Sequence, residues 1–302
     1  MDNLKGEHER IRENANRIRK SRSVYGEMLD FYENLLYLQL KYRARVNVEV
    51  PGVSDQIIKT KLDEGFPLLN REDFPLDNDA AYSLLEEMKK IIPGGNRELR
   101  NASTDLLKFL KEKQNGKNFW KYLLRAEEEK IKEVADEVGC EMQQVVFLGL
   151  CAIKPSLCFI RSKLESWIPE GTPWRKNYCP VCGSLPSVLL LKEKEGRKFG
   201  VCSWCEHQWL MNRIECAYCQ NQLQESLGYI SIEDDEVYRV EYCDKCKYYF
   251  KLIDCRPLEF EPVPSLEEFT TLHLDMVAQN KGYRIPPVLS PIVYGEITNK
   301  VD

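Results

Sequence analysis

The sequence predicts an α+β fold: a helical N-terminal domain, two tandem four-cysteine metal modules rich in short strands, and a C-terminal helix. Three observations carry this. The first half places apolar residues at three- and four-residue spacing between capping and breaking residues; residues 179–246 hold four C-x-x-C pairs separated by short β-type runs; helical spacing returns at Leu266, Phe269, Leu272, Leu274 and Met276. The break at Pro169, Gly171 and Pro173 is the main boundary, and the predicted domains are 1–172, 173–214, 215–260 and 261–302.

Ser23 can cap a helix over 24–42 whose buried face is Val24, Met28, Phe31, Leu35 and Leu38. Pro67 and Pro75 forbid a continuous helix over Gly65–Asp77, which should be an extended crossing. Helices then fit 79–92, closed by Pro93, Gly94 and Gly95, 105–114, stopped near Gly116, and 118–137. The charge run 125–137 reads as a solvated helix face. Two more helices fit 142–151 and 157–167. Beyond the break, SVLLL (187–191) and RVEY (239–242) read as strands, with turns at Glu195 and Gly196 and at Asp234 and Asp235. A helix spans 265–280, and the proline-rich tail after Gly282 reads as irregular.

Composition narrows the function classes. With 43 basic against 48 acidic residues the net charge is −5, which lacks the basic field of non-specific nucleic-acid or membrane-surface binding and favours protein partners. The charged start MDNLKGEHERIRENANRIRK is unlike a signal peptide, and no run approaches the roughly 18 apolar residues of a membrane span, so a cytoplasmic location is expected. In a reducing compartment, eight of twelve cysteines gathered in pairs point to metal ligation or thiol chemistry rather than disulfides.

The pairs are Cys179/Cys182, Cys202/Cys205, Cys216/Cys219 and Cys243/Cys246. A C-x-x-C turn offers two thiolates with backbone N–H groups near the sulfurs, and two turns complete a tetrahedron at about 2.3 Å per metal–sulfur bond. Sequential pairing encloses 19 and 23 residues between pairs, each suited to a hairpin, and makes two repeated ribbon-like units; nested pairing also satisfies the count. Zinc and iron both accept four thiolates, so the spacing does not separate a zinc ribbon from a rubredoxin-like site, and structural zinc is the plainer reading. Either way, four protein sulfurs leave no open position for substrate or activated water, which argues for structural metals rather than an enzyme. Redox cycling would need a single pair at a helix start, which four tandem pairs do not resemble.

The remaining candidates have plainer readings. His207 follows a complete pair and is expected beside the site rather than in it; His273 reads as structural; Cys140, Cys151, Cys158 and Cys255 read as buried inert thiols; and Trp204, Trp209 and Tyr218 read as shields of a small metal core.

CPVCGSLP (179–186), CSWCEHQWLMNRIECAYC (202–219), EYCDKCKYYFK (241–251) and LEEFTTLHLDMVAQNKGY (266–283), in that order and spacing, resemble the FdhE family of formate dehydrogenase accessory proteins; GFPLL (65–69) and FPLD (74–77) support this. The resemblance implies a cytoplasmic, non-catalytic maturation factor that engages the catalytic subunit of a molybdenum- or tungsten-dependent formate dehydrogenase. It implies two rubredoxin-like sites holding iron or zinc on the eight paired cysteines, and it marks Trp209, Arg213 and Asp275 as recurrent positions. The tail PPVLSPIVYGEITNKVD departs from that family's ending. The alternative is a zinc-ribbon nucleic-acid-binding protein using Arg175, Lys176, Arg197 and Lys198, against which stand Glu193, Glu195, Glu206, Glu215, Glu225 and the run 233–236. The sequence leaves a homodimer open.

Overall fold

The structure is a computed structural model that describes residues 2–112, 115–172, 174–232 and 235–286. The expected turn at Asp234, part of the acidic run 233–236, Pro173, and the tail from 287 onward lie outside the described residues. Ten helices and six strands are described: α1 (Asp2–Ser21), α2 (Gly26–Arg43), α3 (Asp55–Glu64), α4 (Asn78–Ile91), α5 (Arg97–Lys111), α6 (Asn115–Arg125), α7 (Glu128–Val138), α8 (Met142–Leu164), β1 (Pro186–Lys192), β2 (Arg197–Cys202), β3 (Gln208–Leu210), β4 (Leu227–Ser231), β5 (Tyr238–Cys243), β6 (Tyr249–Asp254), α9 (Pro264–Phe269) and α10 (Leu272–Asn280). The fold class is the α+β class expected. Two compact units form, one from 34–50 and 71–160, the other from 1–33, 51–70 and 161–286.

The first of these units is helical. Asp77 caps α4 by accepting Ala80 N–H at 2.9 Å, and Asn96 caps α5 by accepting Leu99 N–H at 3.0 Å, so α5 starts eight residues before the expected 105. The single helix expected over 118–137 is two helices, broken at Ala126 where φ is +54°. Gly116 lies inside α6, rather than ending the preceding helix, and Gly149 lets α6 approach α8: a Cβ at Gly149 would stand 2.5 Å from Leu123 Cδ1. The two helices expected over 142–167 are one, because Pro155 is accommodated inside α8. Pro155 has no N–H for the Cys151 carbonyl one turn back, and Gln39 Nε2 donates to that carbonyl instead, at 3.1 Å. By length and composition alone, Met142–Trp167 could cross a membrane, yet 61% of its most apolar window is buried inside the fold, as in a core helix.

The other unit is built on one six-stranded sheet, in the order β3-β2-β1-β6-β5-β4. Each cysteine-bearing half supplies an antiparallel three-stranded ribbon, and the halves are joined by parallel pairing of β1 with β6 through Val188↔Lys251 and Leu190↔Ile253. The two metal modules therefore share a sheet. Alternation sends Val188, Leu190, Val201, Val240, Tyr249 and Ile253 to one face, where they pack with Leu274 and Ala278 of α10. Across the other face runs the row Trp209, Gly200, Leu189, Leu252 and Arg239; a Cβ at Gly200 would stand 3.0 Å from the Trp209 ring, so glycine admits the indole there.

The expected C-terminal helix is split at Thr270 and Thr271 into α9 and α10. Met276 is 57% exposed and Val24 86% exposed, so neither belongs to the face expected of it; Val24 lies in a 3-10 turn before α2, whose buried face is Leu29, Phe31 and Leu35.

Candidate metal centres

The antiparallel register assembles each site. Pro186, four residues after Cys182, pairs with Cys202, and Leu227 pairs with Cys243, so the turn before the first strand of each hairpin meets the turn after the second. The four turns share one geometry. The first cysteine of each pair accepts through its carbonyl from the residue four positions on (Gly183, Glu206, Gln220 and Lys247, at 2.8, 3.2, 3.1 and 2.8 Å) and donates its own N–H to the carbonyl five positions on (Ser184, His207, Asn221 and Tyr248, at 2.8, 2.9, 2.9 and 3.1 Å). Closing the turn requires a left-handed residue after the second cysteine: φ is +74° at Gly183, +61° at Glu206, +57° at Gln220 and +61° at Lys247.

Three of the four turns thus carry a side chain where glycine is the unstrained choice. Lys247→Gly is expected to stabilise metal-loaded protein by about 0.5–1 kcal/mol, read as a raised denaturant midpoint at unchanged m, whereas Lys247→Val is expected to cost about 1–2 kcal/mol. Equal midpoints for the two variants would contradict the assigned backbone.

The eight sulfurs form two clusters, Cys179, Cys182, Cys202 and Cys205, and Cys216, Cys219, Cys243 and Cys246, each within 4.8 Å. Sequential pairing is therefore the arrangement found. Sγ···Sγ separations are 3.8 Å for Cys179–Cys205, 3.7 Å for Cys182–Cys205, 3.3 Å for Cys182–Cys202, 3.7 Å for Cys216–Cys246 and 3.8 Å for Cys219–Cys243. A tetrahedron with metal–sulfur arms of about 2.3 Å has edges of about 3.8 Å, so the donor set fits a four-thiolate metal ion. Backbone N–H groups of Val181, Cys205, Tyr218 and Cys219 point at sulfur from 3.4–3.5 Å, which stabilises thiolate.

Burial pushes the Cys179 and Cys205 thiols well above the usual range, and the adjacent sulfurs add to it. Burial opposes ionisation at Cys182 too, but hydrogen bonding with Cys179, Cys202, Cys205 and Ser184 outweighs it and holds this thiol well below that range. In the second cluster burial pushes Cys246 up to about 11. Four sulfurs so close cannot all ionise unaided; a divalent cation would replace the protons.

His207 is no ligand: its ring Nδ1 lies 3.4 Å from Glu165 Oε2, while its carbonyl closes a turn. His273 Nδ1 lies 3.2 Å from the Tyr25 hydroxyl, and burial together with Arg22 lowers its pKa, as befits a structural histidine. Cys140, Cys151, Cys158 and Cys255 stand outside both clusters; only Cys158 is buried and the other three are partly exposed, against the expectation of four buried thiols, though desolvation pushes Cys151 and Cys255 up to about 12, which makes them poor nucleophiles. Trp204 and Trp209 are buried, with Trp209 Nε1 donating to Lys176 O at 3.0 Å; Tyr218 is half-buried, its ring 4.5 Å from that of Tyr248. Arg213 is exposed.

Sequence reasoning missed three contributions. Residues 65–69 run against the first turn, where Leu68 and Leu69 N–H donate to the carbonyls of Pro180 and Val181 at 2.8 and 3.0 Å; the GFPLL motif was the available signal. Lys198, 1% exposed, donates to Glu241 Oε1 at 3.0 Å and to Glu215 O at 2.7 Å. Asp275, 3% exposed, accepts from Lys251 Nζ and Tyr249 OH at 2.8 Å each, which gives this recurrent position a structural part. Lysines at inward-facing positions of RKFGVC and YFKLID were the signal for these pairs.

Comparison with known proteins agrees with this architecture. Residues 178–213 match the family model "FdhE, central domain" and residues 214–288 match "FdhE, C-terminal domain". The chain is 35% identical over 150 residues to Protein FdhE homolog of Aquifex aeolicus (strain VF5), covering 49% of the chain and 52% of that relative. It is 32% identical over 127 residues to Protein FdhE of Escherichia coli (strain K12), covering 39% of each. These alignments therefore span about half or less of each relative's length. The crystal structure of the FdhE protein from Pseudomonas aeruginosa superposes with a TM-score of 0.65 over 93% of both chains at 21% identity, a likeness of fold.

Proposed function

The chain belongs to the FdhE family, and from that premise we propose that it is a non-catalytic, cytoplasmic accessory protein that binds the catalytic subunit of a formate dehydrogenase and assists its assembly or activation. The observation that carries the reading is the ordered match of residues 178–288 to both FdhE domains, which covers the eight cysteines and α10. Those cysteines would hold two metal ions, iron or zinc, whose contribution is to cross-link the ribbon turns: with four sulfurs per ion, no position is left for a reacting ligand. In this reading the sheet and α10 supply a rigid surface for the client. Ile214 just before the second module, Leu223 and Tyr229 within it and Met276 of α10 are 50, 58, 47 and 57% exposed, the kind of apolar residue that anchors a protein interface.

Affinity purification of tagged protein from cells making formate dehydrogenase tests this. Retention of the catalytic subunit, weakened in Ile214→Asp and Tyr229→Asp variants that keep their metal, is the expected result. Tagged protein that never retains the subunit would overturn the proposal.

A further inference from the structure

The two centres are built alike but enclosed differently. All four sulfur-bearing residues of the first are buried, whereas in the second Cys216 and Cys243 are buried and Cys219 and Cys246 are partly exposed. The cause can be read position by position. In the first centre Pro180 and Val181 lie between the cysteines of the leading pair, and their carbonyls accept the amides of Leu68 and Leu69, so residues 65–69 lie along that turn as a covering segment. Tyr178 OH donates to Gly65 O at 2.7 Å and fastens the start of that segment, while Pro67 packs 3.2 Å from the Cβ position of Gly183. The corresponding residues of the second centre are Ala217 and Tyr218. Among the described residues no backbone amide donates to either carbonyl, and Tyr218 O accepts only the Asn177 side-chain amide, at 2.6 Å.

The trailing pairs differ in the same sense. Ser203 and Trp204 separate Cys202 from Cys205, with Trp204 buried at 5% exposure; Asp244 and Lys245, both exposed, separate Cys243 from Cys246. An indole shields the first centre where a solvated lysine stands at the second.

We propose that the second centre is the exchangeable metal site of the molecule, with Cys219 and Cys246 the thiolates at which an incoming soft donor or a thiol-directed electrophile gains entry, while the first centre is sealed. Exchange there is a ligand substitution: an Sγ–metal bond breaks, the thiolate takes a proton from water, and the incoming donor forms the new bond to the metal. No oxidant or reductant enters. The inference rests on the reading that both clusters hold metal and is independent of the client.

The test uses full-length protein loaded with zinc and challenged with the chromogenic chelator 4-(2-pyridylazo)resorcinol. One equivalent should leave faster than the other by on the order of tenfold or more, as expected when outer protection of a metal site differs. Among the eight paired cysteines, brief N-ethylmaleimide treatment followed by peptide mapping should label Cys219 and Cys246 first. Lys245→Trp, which places at the second centre the residue found at the first, should slow the fast phase, and Cys219→Ser should abolish it while leaving the slow phase. Release of both equivalents in one phase, or earliest labelling at Cys179, Cys182, Cys202 or Cys205, would overturn this inference alone. A chain that takes up no zinc or iron would overturn the metal reading itself.

Discussion

Cys182→Ser is expected to lower bound metal from two ions per chain to one and to destabilise the sheet-bearing unit by on the order of 5 kcal/mol or more. The size follows from position. Cys182 lies within 3.7 Å of two other sulfurs, and a serine oxygen is a harder, shorter donor that cannot complete the thiolate tetrahedron. The turn it closes feeds β1, which is hydrogen-bonded to β2 on one side and to β6 on the other. Loosening β1 therefore releases the joint between the two ribbons. Metal analysis together with denaturant unfolding checks this; a variant that keeps two metals and the parental midpoint would contradict it.

Glu241→Leu is expected to cost about 3–5 kcal/mol, because it leaves the Lys198 ammonium buried beside only the Glu215 carbonyl. The pair belongs to β2 and β5, with β1 and β6 between them in the sheet, so it links the two modules as well as neutralising a charge. Burial raises the Glu241 pKa and the Lys198 charge opposes that rise, so the carboxylate depends on its partner. The double variant Lys198→Met/Glu241→Leu removes both charges and is expected to recover most of the loss. Chemical denaturation of the two single variants and the double measures the coupling; additive losses would show that the pair does not act as a unit.

The cysteine centres were the most legible part of the chain, because four C-x-x-C pairs constrain chemistry locally, and β1 and β5 were legible because their apolar runs lie between those pairs. The joining of the modules was not, since parallel pairing of Leu189 with Leu252 across 62 intervening residues leaves no local trace. The α1 helix hides its face: only Ile11, Asn14, Ala15 and Ile18 are buried among its described side chains, and one of these is polar. There Asn14 Nδ2 donates to the carbonyls of Arg10 and Glu261 at 2.9 and 3.2 Å, which no periodicity argument anticipates. At Pro155 the local rule gave way to tertiary structure, with Gln39 satisfying the freed carbonyl. The difference in enclosure between the centres was half visible, in Trp204 against Lys245; its other half, the covering segment at 65–69, is separated from Cys179 by more than a hundred residues.

In the reading proposed above, two metal ions, each on four sulfurs, hold the six-stranded sheet together and so present the surface that meets the client. Metal content and visible absorption of anaerobically purified protein, followed by unfolding before and after chelator treatment, test it most directly. Two ions per chain, red as ferric tetrathiolate or colourless as zinc, and loss of the cooperative transition when both are removed are the predicted results. A metal-free chain with the same cooperative transition at the same midpoint would contradict it.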